Sequence, residues 1–213
     1  MKIIQNSFFK RFLLLLFLFA LFIIINAFSY AVAINNSLAS NLFRLHVVAN
    51  SNSYQDQTLK YIVRDNILQY INENSSHLSS VNDVIIFAEN NIDEIKIVAQ
   101  NTIYDNGFSY PVNIKIGNFR FPTNHYGNIS FPPGFYNALK VKIGNGYGDN
   151  WWCVMFPPLC FVDVSSGIVP DSSREIMRDN LLIEEYRLIS GTSPEIKVRF
   201  RMVEMIQNIS FIL

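Results

Sequence analysis

Residues 42–71, LFRLHVVANSNSYQDQTLKYIVRDNILQYI, decide the fold, because the hydrophobic period of the chain changes within them. Over residues 42–49 apolar and polar side chains largely alternate, which predicts a half-buried strand. Ser53, with an aspartate three residues later, is a helix-start signal, and apolar residues then recur at helical spacing. The stretch therefore predicts a strand followed by an amphipathic helix over about residues 54–72.

The chain downstream continues with one more helix and then three strands. A second start signal at Ser80 predicts a helix that ends near Gly107, where a period of two returns. The predicted strands cover residues 110–116, 135–143 and 151–156. Residues 118–134 are expected to be irregular.

Two expectations concern how the last strands are placed. One face of strand 135–143 is expected to carry Phe135 together with Leu139, Val141 and Ile143. The glycine-rich link 144–150 predicts that strands 135–143 and 151–156 form a hairpin.

The order strand, two helices, three strands is typical of the α+β class. We expect a two-layer domain over residues 42–163, with a mainly antiparallel sheet and both helices on one face. Residues 164–213 are expected to pack on or beside this domain as a C-terminal extension. Within the extension, residues 173–189 predict a helix, whereas the alternating residues 196–202 leave a strand and a helix both open.

The N-terminus has the pattern of an export signal. Lysines and arginines, with no acidic residue, precede an uninterrupted apolar run over residues 12–25. As a helix this run is about 21 Å long, shorter than a bilayer core, and Ala31–Ala33 offers a small-x-small cleavage motif. We therefore expect a signal peptide cleaved after Ala33, followed by a spacer over residues 34–41. The alternative is an uncleaved anchor over residues 12–34, about 34 Å long. Both place the rest of the chain outside the cytoplasm.

Charge and motifs exclude several classes of function. Beyond residue 33 the chain carries 14 basic and 17 acidic side chains with no basic cluster, which argues against nucleic-acid binding. It carries none of the short motifs of serine hydrolases, zinc proteases, P-loop proteins or dinucleotide-binding domains, and its cysteines and histidines fit no zinc-ligand spacing. We expect no cofactor, no metal and no catalytic activity.

Cys153 and Cys160 are the two thiols of the chain, and they flank Pro157-Pro158. An extended path of seven residues would keep the two sulfurs apart, but a proline-induced reversal could bring them together. A disulfide, two buried free thiols and a nucleophilic cysteine are all compatible with this spacing.

Three blocks of sequence resemble the stage II sporulation protein R family. They are FRLHVVANS at residues 43–51, FPTNHYGN at residues 121–128 and NWWCVMFPPLCFVD at residues 150–163. The resemblance covers about residues 42–163. It implies a protein made in the forespore and exported to the space between the septal membranes. There it would activate a membrane-embedded aspartic protease of the mother cell, leading to processing of the sigma-E precursor.

A signal of this kind needs a surface that contacts its partner, and aromatic and arginine side chains anchor such surfaces. The candidate contact residues are Arg44, His46, Asn50, Ser51, Arg64, Phe121, Tyr126, Trp151 and Trp152. The strand period places Arg44 and His46 on one polar face, although Arg44 could instead be the buried partner of Asp65 or another carboxylate. The adjacent tryptophans are expected to point to opposite faces, one into the core and one outward or under the tail.

Two other functions remain open at this point. One is an exported hydrolase with Cys153 or Cys160 as nucleophile and a histidine as base. The other is a structural protein tethered to the membrane by an uncleaved N-terminal helix.

Overall fold

The computed structural model describes residues 2–75, 78–160 and 169–190, with side chains from Phe8 onwards. The helices are α1 (Lys2–Ser40), α2 (Tyr54–Ser75), α3 (Val81–Asn90), α4 (Ile92–Asp105), α5 (Asp171–Asn180) and α6 (Ile183–Ile189). The strands are β1 (Phe43–Val48), β2 (Val112–Phe121), β3 (Asn124–Tyr126), β4 (Ile129–Phe131), β5 (Gly134–Ile143) and β6 (Asn150–Phe156).

Strand β1 is internal to a four-stranded sheet with the order β2-β5-β1-β6. It pairs parallel with β5 and antiparallel with β6, and β5 pairs antiparallel with β2. The predicted α+β class with a mainly antiparallel sheet is therefore confirmed. The predicted hairpin of β5 and β6 is wrong, since β1 lies between them. All six residues of β1 are buried, as is typical of an internal strand whose two faces are both covered.

The sheet has two differently covered faces. The helix-covered face carries Leu45, Val47, Leu139, Val141 and Ile114, all buried in one core with the apolar side chains of α2 and α4. The hairpin face carries Arg44, His46, Phe121, Tyr136 and Trp152, and the β3–β4 hairpin and the end of α1 pack against it. Both faces of the central strands are therefore protein-covered.

The helix predicted from Ser80 is two helices, α3 and α4, separated at Asn91. The start is as predicted, because Ser80 Oγ accepts a hydrogen bond from the Asp83 N–H at 3.2 Å. At Asn91 both the backbone N–H and the side-chain Nδ2 donate to the Phe87 carbonyl, at 3.0 Å and 2.8 Å. An asparagine side chain competes in this way with the helical backbone bonds, which explains the interruption.

The segment expected to be irregular contains the short hairpin β3–β4, and β2 extends to Phe121. Gly127 adopts φ +58° at the hairpin turn, a conformation that glycine reaches without strain. In β5, Phe135 lies on the same face as Leu139, Val141 and Ile143, as expected, but outside the core. Phe135 is 59 % exposed, whereas its neighbour Tyr136 is fully buried on the hairpin face. The hairpin and α1 cover Tyr136 on one face, whereas Phe135 lies on the other face near the start of the strand.

Helix α1 is continuous from Lys2 to Ser40, and its segment Phe8–Ser40 is long enough and apolar enough on average to cross a membrane. The expected spacer over residues 34–41 is wrong, because the helix continues through it and packs on β5 and α6. Leu38 is fully buried there, and Asn41 Nδ2 donates to both carboxylate oxygens of Glu185 at 3.2 Å. The burial of Leu38 stabilises this last part of the helix, which the small polar residues around it do not predict.

The C-terminal extension supplies α5 and α6 rather than one helix over residues 173–189. The break falls at Leu181, which is extended and buried, so burial of this side chain interrupts the helix. Residues 196–202, for which a strand and a helix were both open, lie outside the described residues.

Candidate partner-contact site

The structure divides the predicted contact residues into a buried cluster, a loop-organising pair and an exposed edge. Arg44, His46, Phe121 and Tyr126 belong to the buried cluster on the hairpin face. Asn50 and Ser51 organise the loop that follows β1, whereas Trp151 and Trp152 lie in β6 and Arg64 packs against Trp151.

Arg44 is fully buried between aromatic rings, so the expectation that it lies on a contact surface is wrong. Its Cζ lies 4.2 Å from the ring centroid of Phe121 and 4.8 Å from that of Tyr136. Nη2 donates to Asn124 Oδ1 at 2.8 Å, while Nε and Nη1 have no hydrogen-bond partner among the described residues. Burial lowers the pKa of the Arg44 guanidinium.

The proposed ion pair of Arg44 with Asp65 is also wrong. Asp65 Oδ1 pairs with Arg64 Nη2 at 2.7 Å on the surface of α2. Arg44 is held instead by cation–π contacts and one amide oxygen, which keep it buried without a carboxylate among the residues described here. Burial in the same cluster raises the pKa of Tyr136 to about 12.

His46 connects Arg44 to the surface. Its ring stacks on Trp152 at 5.5 Å between centroids with an interplanar angle of 20°, and Nε2 lies 2.7 Å from Asn150 Oδ1. The ring is only 7 % exposed, so the expectation of a surface histidine is wrong. Burial lowers the pKa of His46, the charges of Lys140 and Arg44 lower it further, and the Asn150 hydrogen bond opposes the shift.

Because the His46 pKa is lower in the folded than in the unfolded state, protonation of His46 favours unfolding. Its stabilising contribution is fully present above its ordinary pKa of 6.5 and is lost as the pH falls below that value towards the folded-state pKa. We expect the melting temperature of the protein to decline between about pH 7 and pH 5, and to decline less in His46→Gln.

Thermal melts across this pH range measure the difference in slope. His125→Gln is the matched control, because His125 is an exposed histidine on the β3–β4 hairpin. An equal decline in His46→Gln and in the parent would contradict the assignment of this pH dependence to His46.

Asn50 and Ser51 are tied into the end of β1. Asn50 Nδ2 donates to Asp56 Oδ2 at 2.9 Å, and Ser51 Oγ donates to the same oxygen. Partial burial alone would raise the pKa of Asp56, but these donors outweigh it and hold that pKa below its ordinary value. Gly148 packs against this loop so closely that a Cβ would lie 2.2 Å from the Ser51 carbonyl oxygen. These residues therefore organise the loop.

Arg64 and Trp151 lie together on the helix-covered side of β6. Arg64 Cζ is 4.4 Å from the Trp151 ring centroid and 5.0 Å from that of Tyr61. The Tyr61 and Trp151 rings meet edge to face at 5.4 Å. Tyr61 is 39 % exposed, so this stack reaches the surface.

The two tryptophans do point to opposite faces, but neither is fully buried. Trp151 packs on α2 and Trp152 packs on His46, and both are half-buried. Together with Tyr61, Arg64 and Asn150 they form what we call the tryptophan edge, which lies along β6 at one side of the described sheet. Tryptophan, tyrosine and arginine are the residues enriched at energetically dominant contact sites.

Sequence reasoning missed Tyr61 and Asn150 as members of this edge. Tyr61 precedes Arg64 by three residues, and side chains at that spacing share one face of a helix, so the pair could have been found. Asn150 could not have been found without the register, which places it opposite Val48 and within reach of His46.

Cys153 and Cys160 form a disulfide, with Cα atoms 5.1 Å apart. Of the three states open for these cysteines, the structure has the disulfide, and neither sulfur is available as a nucleophile in this state. In the part of the chain that the structure describes, no group of three or more histidine, cysteine or acidic side chains could hold a metal ion.

Comparison with known proteins assigns the family. The family model described as stage II sporulation protein R matches residues 39–166, more than half of the chain. Stage II sporulation protein R of Bacillus subtilis (strain 168) is 40 % identical over 124 residues, which are 58 % of this chain and 55 % of that relative. The match thus spans about half the length of the relative. No solved structure matches the chain. The chain therefore belongs to the stage II sporulation protein R family and has a role in sporulation.

Proposed function

We propose that the chain is an exported signal that activates a membrane-embedded aspartic protease of the mother cell, which leads to processing of the sigma-E precursor. The signal is made in the forespore and acts in the space between the septal membranes. Membership of the sporulation family and the apolar N-terminal helix support export for a sporulation role. The observation that carries a ligand role is the tryptophan edge, an aromatic and guanidinium surface on the domain that follows this helix.

The tryptophan edge contacts the extracytoplasmic side of the protease in this proposal. Arg64 supplies a cation that lies against the rings of both Tyr61 and Trp151, and both tryptophans present part of an indole to solvent. Pre-ordered aromatic and arginine side chains lose little conformational entropy on binding, so they contribute more affinity than mobile surface groups. Arg44 and His46 are buried beneath this surface, where His46 packs against Trp152 and helps to position it.

Co-expression of the chain with the candidate protease and the sigma-E precursor tests the proposal. We expect cleavage of the precursor with the full chain, and also when another export signal replaces residues 1–33. A chain that lacks residues 1–33 and has no replacement should give no cleavage, because it stays in the cytoplasm. Cleavage that is equal with exported and unexported chains would contradict an extracytoplasmic signal.

Replacement of both cysteines separates this proposal from a cysteine-dependent hydrolase. The disulfide closes a loop of sequence separation 7. Removing a disulfide that closes a loop of this size should lower the free energy of unfolding by about 2–3 kcal/mol. We expect Cys153→Ala/Cys160→Ala to melt at a lower temperature, as the reduced parent does, and still to trigger cleavage of the precursor. A folded double variant that triggers no cleavage would favour the hydrolase.

A further inference from the structure

Helix α1 and strand β5 meet at the point where the apolar part of α1 ends. The predominantly apolar segment over residues 12–34, which could cross a bilayer, ends at Ile34, and Asn35 is the next residue. A Cβ placed on Gly134, the first residue of β5, would lie 3.6 Å from Asn35 Nδ2. The beginning of β5 therefore lies level with the end of the apolar helix.

The direction of the sheet relative to α1 follows from the short connection to β1. Only Asn41 and Leu42 separate α1 from β1, and β1 runs parallel to β5, with Phe43 opposite Asn137. The start of β5 thus extends about 10 Å beyond the start of β1, alongside the last turns of α1. This end of the sheet, with the end of β2 paired to it, faces back towards the apolar helix.

Phe135 is the exposed large apolar side chain at this end of β5. Its register partner on β2 is Arg120, which is also exposed. An exposed phenylalanine suits the boundary between hydrocarbon and headgroups, because its ring can enter the apolar region there.

We propose that the end of the sheet formed by Phe135 and Arg120 rests on the outer surface of the bilayer that α1 spans. The occupant is the lipid surface, because any bilayer crossed by residues 12–34 ends within about 10 Å of Phe135. The inference rests on α1 crossing a bilayer and does not require the proposed partner of the tryptophan edge.

Such contact fixes the height of the tryptophan edge above the membrane. Trp152 pairs with His46, three residues beyond Phe43, so it lies about 10 Å further from the bilayer than the start of β1. Tyr147, in the loop after β5, lies at the opposite end of the sheet, roughly 25–30 Å from Phe135. A domain held upright in this way presents β6 along the membrane normal.

Lipid quenching of a fluorophore tests the contact. The full chain, with its disulfide intact, is labelled with an environment-sensitive fluorophore through Phe135→Cys or, as the matched control, Tyr147→Cys. Both positions are exposed aromatics, at 59 % and 85 %, so neither change removes a core side chain. Each protein is reconstituted into vesicles of phosphatidylethanolamine and phosphatidylglycerol that contain lipids spin-labelled near the headgroup.

We expect the spin-labelled lipids to quench the label at position 135 at least about twice as strongly as the label at position 147. Equal quenching at the two positions would overturn the proposal. The proposal would also be overturned if the label at position 135 became less accessible to water as the protein concentration rose, with or without lipid. A second copy of the chain would then cover position 135. Neither result depends on a protease, so it does not decide the proposed function.

Discussion

Arg64→Ala should reduce cleavage of the sigma-E precursor at least about tenfold while the domain stays folded. The guanidinium lies against both Trp151 and Tyr61, and an arginine in such an aromatic setting typically contributes about 2 kcal/mol or more when a partner covers it. Its loss from the free domain removes an ion pair with Asp65 and two cation–π contacts of a side chain that is 17 % exposed, so the free energy of unfolding should fall by about 1–2 kcal/mol.

Arg178→Ala is the matched control for this change. Arg178 is an exposed arginine whose Cζ lies 5.4 Å from the Tyr186 ring centroid, so the control removes the same side chain from a similar stack outside the tryptophan edge. Precursor cleavage in cells and thermal melts of the purified proteins measure the two effects. Equal cleavage with Arg64→Ala and with Arg178→Ala would remove the tryptophan edge from the proposal.

Arg44→Ala should destabilise the protein strongly, whereas Arg44→Met should not. Truncation to alanine leaves a cavity between Phe121 and Tyr136, and large-to-small changes in a core cost about 2–5 kcal/mol. Methionine fills much of the same volume and removes a buried charge that has two unpaired donors. Replacing such a charge by an apolar side chain of similar size is often neutral or stabilising.

Denaturant unfolding of both variants measures these changes, and cleavage is then compared below the melting temperature of each. We expect Arg44→Met to trigger cleavage as the parent does, because the side chain is fully buried and cannot meet a partner. If Arg44→Met is stably folded but triggers no cleavage of the precursor, Arg44 has a direct role in signalling that its burial does not explain.

Local periodicity was sufficient to predict β1, α2 and the α+β class, but not the environment of Arg44. The alternation of residues 42–49 distinguishes two faces of a strand, and an arginine and a histidine on one face indicate solvent. The rings that cover Arg44 come from Phe121 and Tyr136, far along the chain, and only the strand register brings them together. Cation–π burial of this kind leaves no local pattern.

The position of β1 between β5 and β6 could not be predicted from the sequence either. A glycine-rich link between two alternating strands is the usual signal of a hairpin. Here the link crosses the end of β1, where the Gly148 N–H donates to the Ala49 carbonyl at 3.0 Å. All six residues of β1 are buried, which is typical of an internal strand with both sheet faces covered.

Cleavage of the sigma-E precursor in a purified system tests the central claim most directly. The candidate protease and the precursor are placed in vesicles, and the purified full chain in nanodiscs is added to the extracytoplasmic side. We predict that the parent chain raises the cleavage rate, that Arg64→Ala raises it at least about tenfold less, and that vesicles without protease show none. A cleavage rate that the parent chain leaves unchanged, with folded chain and active protease present, would contradict the proposal that this protein is the signal.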